Sequence, residues 1–121
     1  MLIKNFTDLV AWQEAHKLGL DTYRILKTFP KEEQYALTDQ MRRCAISVSS
    51  NIAEGFSRQG FKEKLQFYYM SKGSLTEFQN QLLIARDVGY IGKDEFSRLA
   101  NQTMDVSRLL TGLIRSVKSR S

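Results

Sequence analysis

The chain has 121 residues, of which 42% are hydrophobic and 26% charged, and its formal net charge is +5. This balance excludes an intrinsically disordered chain, and the length fits one domain that spans residues 1–121. One proline and seven glycines are too few for the many turns of an all-β domain, so the composition predicts long helices with few connections.

Cys44 and His16 are the only residues of their types, which excludes an intrachain disulfide and a Cys/His zinc site within one chain. No N-terminal signal is visible between Met1 and Trp12. The longest apolar runs have about four residues, far below the ~20 that span a bilayer. We therefore expect a cytoplasmic protein with no cofactor, no metal and no membrane partner.

The first predicted helix covers residues 8–28, with Thr7 as its cap and Asp8 at the positive end of the helix dipole. The expected core stripe follows a three–four spacing and consists of Leu9, Trp12, His16, Gly19, Tyr23 and Leu26. A second apolar stripe is formed by Ala11, Ala15, Leu18 and Ile25. The helix should end before Pro30, because a proline disfavours helical geometry at the residue before it.

The second predicted helix covers residues 32–57 and starts near Glu32 and Glu33, acids that suit a helix start. Its core line is Leu37, Met41, Ala45, Val48 and Ile52. Small side chains surround that line and should let a neighbouring helix backbone approach closely: Cys44, Ser47, Ser49, Ser50, Ala53 and Gly55.

The third predicted helix covers residues 62–88, with Gly89 as its stop, and the fourth covers residues 93–117. The third carries a heptad-like seam of Tyr68, Ser71, Leu75, Phe78, Leu82 and Ala85. The fourth repeats the spacing with Phe96, Leu99, Thr103, Val106, Leu110, Leu113 and Val117. Short connections make sequential helices antiparallel, so the predicted fold is an all-α, up-down four-helix bundle.

The run from Phe67 to Met70 predicts a contact with another chain. Its four large residues point almost all the way round a helix, and the core of one bundle covers only part of that circumference. We therefore expect a homo-oligomer with an interface that includes Phe67, Tyr69 and Met70. The alternative is that Tyr68 and Tyr69 lie at the bundle margin with hydrated hydroxyls.

A polar face on the second helix has two interpretations. Arg43, Ser47, Asn51 and Glu54 recur at helical spacing and could hold RNA phosphates or the loop of a partner. The interpretation that we favour is a structural network that fixes helix register and is completed by Glu77.

Excess positive charge lies at the C-terminal end, where residues 91–121 contain six basic and three acidic side chains. It suggests an acidic partner such as RNA, although a solvated tail has the same composition. Candidate phosphate contacts are Lys62, Lys64, Arg108, Arg115, Lys118 and Arg120, and Phe61 and Tyr90 are candidate stacking aromatics.

Enzymatic sites find little support in the sequence. A di-iron bundle needs Glu-x-x-His pairs, but the chain has one histidine, and Glu14 lies two residues before it. Cys44 lies among apolar residues and is expected to act as a small hydrophobe, and His16 as a hydrogen-bonded packing residue. No phosphate-binding glycine motif is present.

Several motifs resemble a known bacterial family. The densest is Ser47-Val48-x-Ser50-Asn51-Ile52-Ala53-Glu54-Gly55, and other matches lie in residues 6–18, 29–32, 37–45, 73–77, 81–82 and 89–91. Across nearly its whole length the chain resembles the four-helix bundle proteins first noticed in intervening sequences of large-subunit ribosomal RNA genes.

The resemblance implies a ring-like homopentamer of four-helix bundles with no enzymatic activity. A related branch is the accessory protein of diversity-generating retroelements, which binds a reverse transcriptase and RNA through a basic surface. The leading hypothesis is a non-enzymatic oligomeric bundle that binds RNA or an RNA-associated protein, such as a reverse transcriptase. The main alternative is a protein-interaction or scaffold module with no nucleic acid partner. A third hypothesis, which we favour least, is an enzyme at subunit interfaces that uses Arg43, Asn51 and Glu54.

Overall fold

Four α-helices make up most of the computed structural model, which describes residues 2–121. They are α1 (Val10–Leu26), α2 (Leu37–Ser57), α3 (Phe61–Asp87) and α4 (Lys93–Arg120). Two short 3-10 turns, Phe6–Asp8 and Lys31–Glu33, precede α1 and α2, and the described residues contain no strand. The chain is therefore all-α, as its composition predicts.

The N-terminal cap differs from the expected one. The side chain of Asn5 accepts a hydrogen bond from the Thr7 N–H at 3.0 Å, and the Asp8 carboxylate accepts one from the Asn5 N–H at 3.2 Å. This reciprocal pair is a capping box around the first 3-10 turn. Asn5 and not Thr7 is therefore the cap, and the α-helix itself begins only at Val10.

The second helix begins five residues later than the expected residue 32. Ala36 has φ −124° and ψ −107°, a conformation that separates the turn at Lys31–Glu33 from α2. The Glu33 carboxylate accepts a hydrogen bond from the Leu37 N–H at 3.3 Å. Glu33 thus accepts a hydrogen bond from the first turn of α2 although it lies outside the helix.

The core uses mainly the second apolar stripe of α1, which corrects the expectation from the sequence for the first stripe except at Leu26, which is buried. The residues of α1 that are buried are Ala11, Ala15, Leu18, Thr22, Ile25 and Leu26. His16 and Tyr23 are exposed, and Trp12 is half-buried. The imidazole of His16 stacks on Trp12 with ring centroids 4.7 Å apart, so it covers an aromatic margin of the bundle and is not a core residue.

The other three helices bury the expected lines almost completely. The whole seam of α3 is buried, and the core line of α2 is buried from Met41 to Ile52. On α4 Ile114 is buried, whereas the predicted seam contained its neighbour Leu113, which is half-buried. One cluster of buried side chains from all four helices forms the main core, and a smaller one of Tyr68, Ile114 and Val117 lies beside it.

Contacts between helices fix which ends come together. Val48 contacts Ser71 and Cys44 contacts Glu77, so residue numbers rise along α2 as they fall along α3. Gln79 of α3 contacts Thr103 of α4, and Lys72 contacts Thr111, so residue numbers also rise along α4 as they fall along α3. The end of α2, the start of α3 and the end of α4 therefore lie at one end of the molecule.

Candidate nucleic-acid interface

A cluster of basic side chains lies where the start of α3 meets the end of α4. We call these residues the basic end: Lys62, Lys64, Lys72, Arg115, Lys118 and Arg120. Among residues 2–121, none of the six forms an ion pair with a carboxylate. Arginines elsewhere, such as Arg42 with Asp39 at 2.6 Å and Arg98 with Asp21 at 3.0 Å, are paired. The charge of the basic end is therefore free to attract an external anion.

A groove of about 250 Å³ runs between α3 and α4 at this end. Its lining is Tyr69, Lys72, Thr111, Ile114, Arg115 and Lys118. The Lys72 ammonium donates a hydrogen bond to the Thr111 hydroxyl at 3.2 Å, and the Lys118 ammonium lies 5.4 Å from the centre of the Tyr69 ring. The side chain of Tyr69 is 46% exposed. Cations beside an exposed aromatic ring are the combination that binds a single-stranded nucleic acid.

Lys64 and Arg120 lie beside a second cavity and are partly engaged in the fold. The Lys64 ammonium donates to the backbone carbonyl oxygens of Phe56 at 2.8 Å and of Gly55 at 3.4 Å, near the end of α2. Burial, and then the positive charge of Arg120, lower the pKa of Lys64. The Arg120 guanidinium lies 6.0 Å from the Phe61 ring. These two cations repel each other and favour an anion between them.

Two residues proposed from the sequence lie outside this arrangement. Arg108 is exposed on α4 and forms an ion pair with Asp105 at 3.1 Å, so part of its charge is compensated. Tyr90, a candidate for stacking, donates its hydroxyl to the Glu33 carboxylate at 2.7 Å and packs on Phe29, away from the basic end. Burial and the hydrogen bond to that carboxylate raise the pKa of Tyr90, with the hydrogen bond the larger effect.

The polar face of α2 is divided into separate contacts. Ser47 and Ser74 hydroxyls are 2.8 Å apart, and the Asn51 amide donates to the Ser47 carbonyl and hydroxyl oxygens at 2.9 and 3.0 Å. Glu77 belongs to a different pair, in which its carboxylate accepts a hydrogen bond from the Cys44 thiol at 2.9 Å.

Arg43 and Glu54, which we expected in the same network, are exposed. The Arg43 guanidinium pairs with Asp39 at 2.9 Å, and the Glu54 carboxylate pairs with Arg58 at 3.1 Å. The Glu54 side chain is 53% exposed. The small neighbours of Glu54 in the sequence do not bury it, because residue 54 faces away from the line that packs against α3.

Apolar side chains remain exposed at many positions along the chain, and two places bear on an interface with another chain. Tyr69 and Met70, from the run expected at an oligomer interface, are 46% and 49% exposed, whereas Phe67 is half-buried beneath the Arg58 guanidinium at 4.8 Å. The second place was not anticipated and combines α3 and α4: Leu83, Ile84, Val88 and Met104 are exposed. Leu83 and Ile84 lie in the apolar run from Leu82 to Ala85, which could have indicated an exposed apolar side chain, whereas the contribution of Met104 depends on the α3–α4 register.

Sequence reasoning also missed Lys72 and Thr111, which line the basic groove. Lys72 lies one turn after Tyr69 on α3, a spacing that could have identified it, but its contact with Thr111 requires the α3–α4 register. Across residues 2–121 no group of three or more His, Cys, Asp or Glu side chains could hold a metal ion. In the same range, none of the helices has the length and apolar character needed to cross a bilayer.

These features define an all-helical protein whose four helices share one core and which carries six cations without ion-pair partners among residues 2–121 at one end. The family model of the 23S rRNA-intervening sequence protein matches residues 7–112, so the chain belongs to that family. The fold is similar to the crystal structure of a protein with unknown function from the S23 ribosomal protein family of Bacteroides thetaiotaomicron VPI-5482. The TM-score is 0.81 at 17% sequence identity, over 88% of this chain and 96% of that chain. No curated protein matches the sequence.

Proposed function

We propose that this chain is an antiparallel up-down bundle that assembles as a homo-oligomer and binds RNA, or an RNA-associated protein, through the basic end without catalysing a reaction. The observation that carries the proposal is the set of six cations without ion-pair partners among residues 2–121 at one end of the bundle, three of which, Lys72, Arg115 and Lys118, line a groove that contains an exposed tyrosine. The family description, which names an rRNA intervening sequence and no reaction, is consistent with it.

Phosphate neutralisation is the physical basis of the proposal. Each lysine or arginine that neutralises a phosphate releases a condensed counterion, which makes binding strongly dependent on salt. Arg115 and Lys118 are exposed on α4 and flank the groove, so they can approach a phosphate backbone without a change in the fold. Tyr69 offers an aromatic face for a base at the same place.

Charge reversal at the basic end tests the proposal. The triple variant Arg115→Glu, Lys118→Glu and Arg120→Glu should weaken binding to a structured RNA by several orders of magnitude at low salt and reduce the slope of log K against log salt by about one per lost contact.

The matched control reverses Lys27, Lys31 and Lys93, three exposed lysines with no ion-pair partner among the described residues. They lie towards the other end of the bundle, where Arg24 of α1 pairs with Glu95 of α4 at 3.0 Å. Because both triple variants change the net charge equally, a specific interface predicts a loss only in the first. Equal losses would mean that net charge alone attracts the RNA, and no loss in either would reject the basic end as the contact surface.

A protein-interaction role is the second candidate function, and the exposed apolar group on α3 and α4 favours it. Leu83, Ile84, Val88 and Met104 are 42–62% exposed, and Leu83 and Met104 line one shallow groove with Phe96, an arrangement typical of protein contacts. If the oligomer binds RNA no better than a neutral helical bundle does, this function becomes the leading one.

The proposed homo-oligomer, with a pentamer as the expected form, is tested by mass. Met70→Glu places a charge on the exposed apolar surface of α3 and should lower the mass measured by light scattering if Met70 lies in the interface. Met104→Glu, at a similarly exposed methionine on α4, is the matched variant. A lower mass only with Met104→Glu would place the interface on the α3–α4 group instead. If the parent protein itself has the mass of a single chain, the homo-oligomer is rejected.

A further inference from the structure

A cavity of about 320 Å³ lies at the basic end, separate from the groove between α3 and α4. Its wall comes from the N-terminal segment and three helices: Ile3, Leu9, Phe56, Lys64, Tyr68, Leu113, Ser116 and Arg120. No Asp or Glu lines it, and its volume lies at the lower end of the range of small-molecule sites.

The Tyr68 hydroxyl is the unusual group in this cavity. Tyr68 is only 2% exposed, yet its hydroxyl makes no hydrogen bond to any of residues 2–121. The ring is buried, but the hydroxyl is not one of the buried polar atoms that lack a partner, so it is accessible from the cavity that Tyr68 lines. The hydroxyl is therefore a donor still available to a molecule in the cavity.

Two cations provide the remaining donors. The Lys64 ammonium uses two of its three hydrogens on the Gly55 and Phe56 carbonyl oxygens, which leaves one free. Arg120 donates its Nε–H to the Ser116 carbonyl oxygen at 3.3 Å, and its terminal nitrogens make no hydrogen bond to residues 2–121. Burial lowers the pKa of Lys64 and the charge of Arg120 lowers it further, as expected for two cations that share a site without a counter-charge.

The rest of the lining is apolar except for Ser116 and comes from Ile3, Leu9, Phe56 and Leu113, with the Phe56 ring centre 5.4 Å from the Lys64 ammonium. A fitting ligand thus has an anionic group at one end and an apolar body at the other. A carboxylate matches the free donors better than a phosphate dianion, because its two oxygens can take the Arg120 fork, one Lys64 hydrogen and the Tyr68 hydroxyl.

We propose that this cavity binds a small hydrophobic carboxylate, with the carboxylate held by Tyr68, Lys64 and Arg120 and the apolar body against Phe56 and Leu113. The site does not depend on RNA binding. Tyr68 is buried and cannot reach a phosphate backbone on the surface, so its role can be separated from that of the exposed cations.

The test is a titration of the full chain with octanoate, followed by NMR or calorimetry, with 1-octanol and acetate as matched probes. Octanoate should bind at least about tenfold more tightly than either probe, because 1-octanol lacks the charge and acetate lacks the apolar body. Equal affinity for octanoate and 1-octanol would overturn the proposal, since it would mean that the cavity binds apolar chains without recognising the carboxylate.

Variants locate the site. Tyr68→Phe keeps the ring and removes the donor, so octanoate affinity should fall roughly fivefold while 1-octanol affinity stays unchanged. Arg120→Gln should cause a loss of about tenfold or more, and Arg108→Gln, an exposed arginine of the same helix outside the cavity, should cause none. Octanoate affinity unchanged by both Tyr68→Phe and Arg120→Gln would reject the cavity. RNA binding measured on Tyr68→Phe should equal that of the parent protein, whichever way the octanoate result falls.

Discussion

Tyr68 packs directly on Gly55, so closely that a Cβ atom at residue 55 would lie 2.5 Å from Cε1 of the tyrosine ring. Both residues are buried, and the ring cannot withdraw without disturbing the smaller core cluster of Tyr68, Ile114 and Val117. The close approach of α2 and α3 that the small residues of α2 predict is thus realised at Gly55, as it is where the Ser71 hydroxyl donates to the Val48 carbonyl oxygen at 2.7 Å. It also brings the end of α2 within reach of Lys64.

Gly55→Ala is therefore expected to destabilise the fold. A methyl group at this position forces the ring or the helices apart, at a cost of about 1–3 kcal/mol, which exceeds the roughly 1 kcal/mol gained from the better helix propensity of alanine. Gly73→Ala in α3 is the control, because a Cβ there meets nothing within 4 Å, and it should stabilise the fold by about 0.5–1 kcal/mol. Urea unfolding of both variants checks this, and equal effects of the two substitutions would contradict the packing argument.

The exposed position of Glu54 changes what its removal should do. Burial in a network would make Glu54→Ala cost about 2–4 kcal/mol, but among residues 2–121 Glu54 forms an ion pair only with Arg58, at the surface. We expect the free energy of unfolding to change by less than about 0.5 kcal/mol. Met41→Ala, at a fully buried position on the same helix, should cost about 2–5 kcal/mol and shows that the assay detects a loss. A large effect of Glu54→Ala in the assembled protein, absent in the isolated chain, would instead place Glu54 at a subunit contact.

The sequence predicted the helices that have one apolar face better than the helix that has two. The seam of α3 runs from Tyr68 to Ala85 at three–four spacing without a charged residue, so its position in the core followed from periodicity. Helix α1 offered two stripes, and the core uses the one with Ala11 and Ala15, whose small side chains allow the neighbouring helices to approach. Trp12 and Tyr23 are amphipathic and lie at the margin, where hydrophobicity alone does not place them.

The candidate site was less accessible to prediction, because it depends on the register between helices. The sequence identifies the lysines and arginines near the start of α3 and the end of α4. It does not show which of them lack an ion-pair partner among residues 2–121. The pairing of Arg108 with Asp105 follows from i, i+3 spacing on one helix. The contact of Lys72 with Thr111, and the arrangement of Lys64, Tyr68 and Arg120 around one cavity, join residues that are far apart in the sequence.

Asp21 connects α1 to α4, and we expect its ionisation to make the free energy of unfolding depend on pH in the acidic range. Its carboxylate accepts hydrogen bonds from Gln102 at 2.7 Å and Arg98 at 3.0 Å. Burial on its own would raise the pKa of Asp21, but these bonds and the charges of Arg98 and Arg24 together hold the pKa below its ordinary value of 3.8.

Because the pKa of Asp21 is lower in the folded than in the unfolded state, its carboxylate contributes fully to the free energy of unfolding at pH values above the ordinary pKa of 3.8. This stabilisation is lost as the pH falls through the lower pKa of the folded state. Asp21→Asn should therefore reduce stability by about 1 kcal/mol at neutral pH, and the deficit should shrink at about pH 3. Urea unfolding at the two pH values measures it. Asp105→Asn, which removes an exposed pair, should change stability little at either pH, and a deficit of Asp21→Asn that is the same at both would contradict the assigned pKa.

The Cys44 thiol should be almost unreactive in the folded protein. It is 6% exposed, and burial, then its hydrogen bond to the Glu77 carboxylate, raise its pKa to about 11. At pH 8 only about one thiol in a thousand is then ionised, and access to a reagent is blocked as well. We expect a disulfide reagent to modify Cys44 only slowly at pH 8 and completely once guanidinium unfolds the chain. Glu77→Gln removes the carboxylate that opposes ionisation, so it should increase the rate modestly while burial keeps it far below that of the unfolded chain. Rapid modification of the folded protein would mean that α2 and α3 separate near Cys44 on the timescale of the reaction, and that the pair with Glu77 is open in solution.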